Sequence, residues 1–269
     1  MLKDKITCMI FSCNKFSDLW DGNMKMLRKN WPDKDFETYI ITDKPTERTF
    51  SDAKVIAAGA DVEWTDRLKY ALQYVKTKYV FLTLDDYFLI KSVSSERMEK
   101  YVDKMEEGGF DYIRFFKRPT TATRDELPDF KGLYHVENSH MYSVNLYSCL
   151  WKKEFLAYTV KEPRTPWDYE VQLHERAMEY NAKCLVCLNK EYEILDVVRK
   201  GRILRQAYWY FKRHPGIYNG NREVQSWWFE IKLFFKTEIN RHCPDYMRDG
   251  LRDIYVKCGG TTFVKKTKE

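Results

Sequence analysis

The sequence predicts an α/β fold built on a mostly parallel sheet, with flanking helices and a C-terminal helical extension. Three observations carry this. Short, almost wholly apolar runs such as ITCMIF (Ile6–Phe11) and YVFLTL (Tyr79–Leu84) have the length and character of strands covered on both faces. Segments with helical spacing of apolar residues separate them, which is the alternation of a parallel sheet. The end of the chain differs in charge: Arg199 to Glu269 holds 16 basic and 7 acidic residues, a net of +9 against +6 for the whole chain.

The elements follow in order. The first strand, 6–11, leads into Ser12, Asn14 and Ser17 as turn and cap residues. Residues 18–31 read as a helix stopped by Pro32, and 37–42 as a second strand broken by Asp43-Lys44-Pro45. A short third strand spans 55–58. Residues 65–76 place Leu68, Ala71, Leu72 and Val75 on one helical face, with Thr65 as N-cap. After the fourth strand, 79–84, comes a helix over 95–107 ending at Gly108-Gly109, then a strand over 110–116. Residues 118–131 lack an apolar period and read as a loop. Residues 141–146 read as a strand, 151–158 and 167–180 as helices, 183–188 as a strand, and 203–213 and 223–236 as helices. There is no internal repeat and no linker. One domain over 1–205 with a basic, aromatic-rich helical extension over 206–269 is expected.

Composition excludes several classes. With 269 residues, 44% hydrophobic and 32% charged, the chain is long and apolar enough to fold around a core. Eleven Gly and eight Pro exclude a collagen-like or low-complexity chain. No run approaches the ~18 apolar residues of a membrane span. Asp4 and Lys5 precede only a short apolar stretch, so the N-terminus reads as a strand and not as a secretory signal. Seven irregularly spaced Cys argue against a disulfide framework and for a reducing cytoplasm. Cys184 and Cys187 read as buried strand thiols, and Cys243 and Cys258 stand alone. The 16% of aromatic residues are mostly core, with a surplus that suits sugar-like ligands.

Three short features carry chemistry. Asp85-Asp86 directly follows the strand YVFLTL, and open parallel sheets bind ligands at the carboxyl ends of their strands. Adjacent carboxylates there repel each other unless a cation neutralises them, and hard oxygen ligands suit Mg2+ or Mn2+. The structural alternative is a solvated acidic turn. In Pro166-Trp167-Asp168-Tyr169-Glu170, an acid at the start of a helix can take a proton from an attacking hydroxyl, or simply cap the helix. In Arg199-Lys200-Gly201-Arg202, cations around a Gly that lets the backbone approach closely suit a diphosphate; the alternative is a solvated basic turn.

Together these pieces resemble the GT-A-fold (Rossmann-like) glycosyltransferases, which move a sugar from a nucleoside diphosphate to an acceptor hydroxyl. The segments TDRLKYALQYVKTKYVFLTLDDYFLI (65–90), YSVNLYSCLWKKEFL (142–156), PWDYE (166–170) and VVRKGRI (197–203) look like those of bacterial enzymes that build capsular and other surface polysaccharides. The resemblance spans residues 5–205. It implies that Asp85 and Asp86 form the metal-binding acidic motif, here Asp-Asp-Tyr in place of Asp-any-Asp, so that one binds metal while the other faces sugar or ribose. It implies that Asp168 or Glu170 is the base of an inverting displacement. Ser12, Cys13 and Asn14 match the loop receiving the base, and Asp43 ends the second strand on the same edge. Arg67 falls near the nucleotide or its phosphates, and Asp66 within reach of base or ribose. Arg199, Lys200 and Arg202 match a basic loop over the diphosphate. The implied cofactor is Mn2+ or Mg2+, the donor a nucleotide sugar, and the acceptor a glycan or lipid-linked saccharide.

Trp151 and Trp167 are candidates for stacking on sugar faces, with core packing as the alternative. His174 carries no ligand set and reads as an ordinary histidine, and His214, just before the Pro215-Gly216 turn, is either ordinary or placed to approach the metal from the C-terminal side. In the extension, Trp227, Ile231 and Phe234 share a helical face within basic surroundings. That suits an anionic membrane surface on the inner face of the cell membrane, or packing on the domain or on a second subunit. Two rivals remain. A nucleotidyltransferase of related topology would show a Gly-rich phosphate loop after the first strand, and residues 11–17 hold no Gly. A nonenzymatic nucleic-acid binder would use the basic tail, but no nucleic-acid motif is present and no nucleic acid is expected as partner.

Overall fold

The computed structural model describes residues 1–242. Cys243, Cys258 and the last part of the basic tail lie outside the described residues. In chain order the strands are β1 (Ile6–Phe11), β2 (Thr38–Thr42), β3 (Lys54–Ala57), β4 (Tyr79–Leu84), β5 (Tyr87–Leu89), β6 (Tyr112–Arg114), β7 (Thr123–Glu126), β8 (Leu133–Val136), β9 (Cys149–Lys152), β10 (Cys184–Cys187), β11 (Ile194–Asp196), β12 (Val198–Arg199) and β13 (Arg202–Ile203). The helices are α1 (Trp20–Asn30), α2 (Trp64–Ala71), α3 (Ser95–Gly108), α4 (Lys153–Thr159), α5 (Pro166–Tyr180), α6 (Arg205–Arg213) and α7 (Trp227–His242).

Nine strands form one sheet in the order β3-β2-β1-β4-β9-β6-β10-β8-β7. β3, β2, β1 and β4 pair in parallel. β9 is antiparallel to both β4 and β6, and β8 is antiparallel to both β10 and β7. Only β8 and β9 therefore run against the other strands of this sheet, which is the mostly parallel sheet expected. Both faces of the central strands are covered. Ile6, Cys8 and Ile10 of β1 face the cluster around Trp31 and Phe81, while Met9 and Phe11 face the cluster around Trp64 and Trp151. That alternation within an unbroken apolar run follows from the two-residue period of a strand.

The structure redraws five expectations. Residues 118–131 contain β7, an edge strand whose Arg124, Asp125 and Glu126 are exposed, so it carries no apolar period. Residues 141–146 are not a strand. Their backbone carbonyls at Tyr142 and Ser143 accept from the buried Arg114 guanidinium, each at 3.1 Å, and the Asn145 amide donates to the Tyr112 hydroxyl at 3.2 Å. The strand lies later, at β9, and takes Trp151 out of the expected helix. The helix expected over 65–76 ends at Ala71, and the last one begins at Trp227 because Val224 bridges to Ile203 instead.

The chain after residue 205 packs back onto the start of the fold. Ala207 and Ile217 share a cluster with Leu19, Met26 and Phe88. A Cβ on Gly22 would stand 2.4 Å from the Ile217 carbonyl oxygen, so only glycine lets α1 approach this segment. Arg222 clamps Asp18 through two nitrogens, each at 2.7 Å. Among the described residues, no helix is long and apolar enough to cross a membrane.

Candidate functional site

β1, β2 and β4 end at one edge of the sheet, and the loops that follow them converge. Asp85, the first residue after β4, is 7% exposed and accepts a hydrogen bond from the Ser12 hydroxyl beyond β1. Ser12 in turn accepts from Trp20 Nε1 at 2.5 Å. From the end of β2, Asp43 accepts from the Asn14 amide at 2.6 Å. Cys13 lies between the two acids: burial first, then the charges of Asp85 and Asp43, raise its thiol pKa. The buried Asn23 side chain of α1 holds the acidic turn from beneath, donating to the carbonyls of Asp85 at 3.0 Å and Tyr87 at 3.2 Å.

β5 follows the acidic pair at once and pairs antiparallel with β11, setting Tyr87 opposite Asp196. The Val197 amide donates to the Asp86 carbonyl at 2.9 Å. This brings a third carboxylate, Asp196, to the site. Burial pushes the Asp85 carboxyl up despite the Ser12 bond, and pushes Asp86 far up with the charges of Asp85 and Asp196 added. Burial also raises Asp196, although Arg199 donates to it at 2.6 Å. The Asp86 carboxylate makes no ion pair among the described residues. A desolvated acid beside two others is most stable with a proton or a cation.

The donor set fits a hard divalent ion. Among the described residues no group of three or more His, Cys, Asp or Glu could hold a metal, so Asp196 does not complete a ligand set with the acidic pair there. Mg2+ and related ions are commonly held by one or two carboxylates and completed by substrate phosphates and water.

On the far side stands α5, where the two candidate bases part company. Thr165 caps the helix: its hydroxyl accepts from the Asp168 amide at 3.3 Å and donates to the Asp168 carboxylate at 2.7 Å. Asp168 is exposed and completes this reciprocal cap. Glu170 turns inward and accepts from the Leu146 amide at 3.0 Å. Burial raises its pKa, and that amide only partly offsets it. Tyr87 and Tyr147 stack at 5.0 Å and 11°, and the charges of both Glu170 and Asp196 act on each of them. Tyr147 also stacks on Phe116 at 3.8 Å and 3°. Burial raises the Tyr87 hydroxyl foremost, and then Tyr147, Asp86, Asp196 and Glu170 all act on it. One tyrosine thus senses both acidic groups.

The remaining expected residues divide. Arg67 of α2 approaches Asp43. Burial acts to raise Asp43, but the bonds from the Asn14 amide, its own amide and Thr42, together with the Arg67 charge, hold it below the usual range. Arg67 Nε and Asn14 Oδ1 are both buried without a hydrogen-bond partner. Buried polar atoms are normally paired, so these two are left available to a polar partner. Asp66 is half-buried in the first turn of α2. Lys200 and Gly201 form the turn between β12 and β13, with φ of 53° and 77°. A Cβ on Gly201 would meet no protein atom within 4 Å, so within the protein it is the left-handed turn that calls for this glycine. Arg202 points outward and pairs with Glu223 at 2.8 Å, Lys200 is exposed, and Arg199 alone of the three reaches the acids.

Trp151 is fully buried against Tyr112 and belongs to the core, whereas Trp167 is 57% exposed at the start of α5. Cys184 and Cys187 are buried free thiols, as expected. His174 and His214 each bond a backbone carbonyl of their own helix. Sequence reasoning missed Asp196, Tyr87, Tyr147 and Asn23. Asp196 stands one residue before VVRKGRI and carried no spacing signal. Two clefts, one between α1 and residues 216–220 and one beside the start of α3, contain neither the acidic pair nor Glu170.

No family model and no curated protein matches this chain. Among solved structures it is similar to S. aureus TarS 1-349 in complex with UDP-GlcNAc, at 14% identity and a TM-score of 0.49, over 74% of this chain and 60% of that one. It is also similar to a UDP-glucose pyrophosphorylase complexed with UDP-glucose, at 6% identity and a TM-score of 0.44, over 71% of this chain and 92% of that one. A CMP:2-keto-3-deoxy-manno-octonic acid synthetase complexed with CTP matches at 12% identity and a TM-score of 0.41, over 68% of this chain and 88% of that one. The chain spans less than two thirds of the TarS fragment. All three likenesses are remote, and no residue role is carried across from them.

Proposed function

We propose that this chain is a glycosyltransferase that moves a sugar from a nucleoside-diphosphate donor to a hydroxyl of a glycan or lipid-linked saccharide, with inversion, in the building of surface polysaccharide. One observation carries the reading: the half-buried carboxylate Glu170, its pKa raised by burial, and Asp86 at the end of β4 both act on one tyrosine, Tyr87, which stacks on Tyr147. A base on one side and a diphosphate-holding edge on the other are what an in-line displacement requires.

The donor nucleotide lies on the strand edge, where Asn14, Asp43, Asp66, Arg67 and the backbone of Ser12 and Cys13 offer polar groups to base and ribose. Asp86 and Asp85 would hold Mn2+ or Mg2+, which supplies Lewis-acid charge to the diphosphate. Arg199 adds a cation at the same place, and Lys200 lies on the turn beyond it. The acceptor hydroxyl gives its proton to the Glu170 carboxylate. Its oxygen bonds to the anomeric carbon as the bond from that carbon to the diphosphate oxygen breaks, and the electron pair leaves with the nucleoside diphosphate. Trp167 and the Tyr87–Tyr147 pair offer flat apolar faces to sugar rings.

The test is incubation with a panel of nucleotide sugars and Mn2+ or Mg2+, reading released nucleoside diphosphate. Release that requires Glu170 supports the reading. Pyrophosphate released from a nucleoside triphosphate and a sugar phosphate would replace it with nucleotidyl transfer.

A further inference from the structure

The described part of α7 packs by one face and leaves the more apolar face open. Phe229, Glu230 and Leu233 are half-buried toward the body of the protein. Trp227, Trp228, Ile231, Phe234 and Phe235 follow the spacing i, i+1, i+4, i+7, i+8, which makes a single stripe on a helix. All five are exposed, Trp228 by 73% and Phe234 by 61%. Nine residues at 1.5 Å rise give the stripe a length of roughly 12 Å.

The charges around the stripe are cationic. Arg205 lies over the Trp227 ring at 4.1 Å, and Lys232 is exposed on the flank. Glu230, the acid within the stripe's length, is withdrawn to accept from the Arg205 amide at 2.6 Å. Trp209 on α6 adds a further exposed ring, with Lys212 beside it in sequence. Contiguous apolar surface of this kind rimmed by charge marks a contact site. A second copy of the chain would bring two regions of +9 together, which like-charge repulsion opposes. An anionic bilayer instead complements the charge, and two tryptophans at one end of a short stripe suit the headgroup boundary.

We propose that the Trp227–Phe235 stripe seats this protein on an anionic membrane surface, lying in the interface and not spanning it. The inference is independent of the sugar-transfer reading, because its readout is binding and not turnover. The experiment is sedimentation of the full chain with phosphatidylcholine vesicles, with and without phosphatidylglycerol, at low and high salt. Binding to the anionic vesicles is expected, weakened by salt. The triple variant Trp228→Ser, Phe234→Ser, Phe235→Ser is expected to lose more than about tenfold in partitioning, since each side chain buries apolar area on binding. These positions are exposed, so circular dichroism is expected to stay unchanged. Brominated lipid is expected to quench tryptophan emission in the wild type and to do so less in Trp228→Ser. No binding to anionic vesicles at low salt overturns the proposal, as does equal binding by the triple variant. A dimer that dissociates in the triple variant, without vesicle binding, assigns the stripe to a second copy.

Discussion

The Leu146 amide donates to the Glu170 carboxylate at 3.0 Å, fixing one oxygen of an acid whose charge acts on Tyr87, Tyr142 and Tyr147. Glu170→Gln keeps the shape and an acceptor for that amide but cannot take a proton. A loss of roughly 100- to 10,000-fold in kcat is expected, the usual worth of a general base. Burial favours the neutral acid here, so the native state loses stability as pH rises through the raised Glu170 pKa. The variant is therefore expected to melt at or above the wild-type temperature near neutral pH. In the wild type kcat/KM is expected to rise with pH through this group, with the limb displaced above the ordinary glutamate value of about 4.3. A limb that persists unchanged in Glu170→Gln would assign the base elsewhere.

Asp168 supplies the contrast. Its carboxylate accepts from Thr165 at the helix cap and is exposed. Asp168→Ala is expected to cost about 0.3–1 kcal/mol through lost helix-end electrostatics, with turnover nearly unchanged. Urea denaturation and steady-state kinetics on the same preparation check both halves.

At the strand edge, Asp86→Asn removes a desolvated charge that has no ion pair among the described residues. Turnover is expected to collapse while the melting temperature holds or rises, because burying an unpaired charge is costly. Asp85→Asn is expected to impair turnover as well, with the fold held, since the amide oxygen can still accept from Ser12 at the end of the chain from Trp20. Chelation of divalent ions is expected to abolish wild-type activity, and Mn2+ or Mg2+ to restore it. Full activity after exhaustive chelation would remove the metal from the scheme.

The clamp between Arg222 and Asp18 is a stability prediction. Burial raises Asp18, but its bonds from Arg222 and Tyr218 outweigh this and hold the carboxyl low. Its contribution is present above the unfolded aspartate pKa and is lost as pH falls through the folded one. Arg222→Ala is expected to cost about 1–3 kcal/mol near neutral pH, the range for charged hydrogen bonds, and less in acid. Denaturant titrations at the two conditions measure the difference.

The elements that stand on local patterns were legible in the sequence. β1 and β4 are apolar runs, α3 ends on a left-handed Gly109, and the acidic pair follows its strand. What escaped depends on remote partners. MYSVNL and CLWK are equally good short strands by composition, and only pairing with β4 and β6 selects the second. Tyr87, Phe116 and Tyr147 come from three separate segments, and no one of them differs in sequence from a core aromatic. Asp196 joins the site only because β11 lies against β5. The two acids of PWDYE were indistinguishable by spacing, and the cap geometry at Thr165 separates them.

Asn23 anchors the acidic turn to α1 by its bonds to the carbonyls on either side of Asp86. The turn is consequently a fixed anvil: it cannot shift without dragging a helix whose Gly22 is already in contact with the returning chain. The hairpin that carries Arg199 is braced as well, since Arg222 donates to the Gly201 carbonyl at 3.2 Å and the Gln225 side chain to the Arg199 carbonyl at 2.6 Å, so the returning chain ties down both the acidic turn and its cationic neighbour.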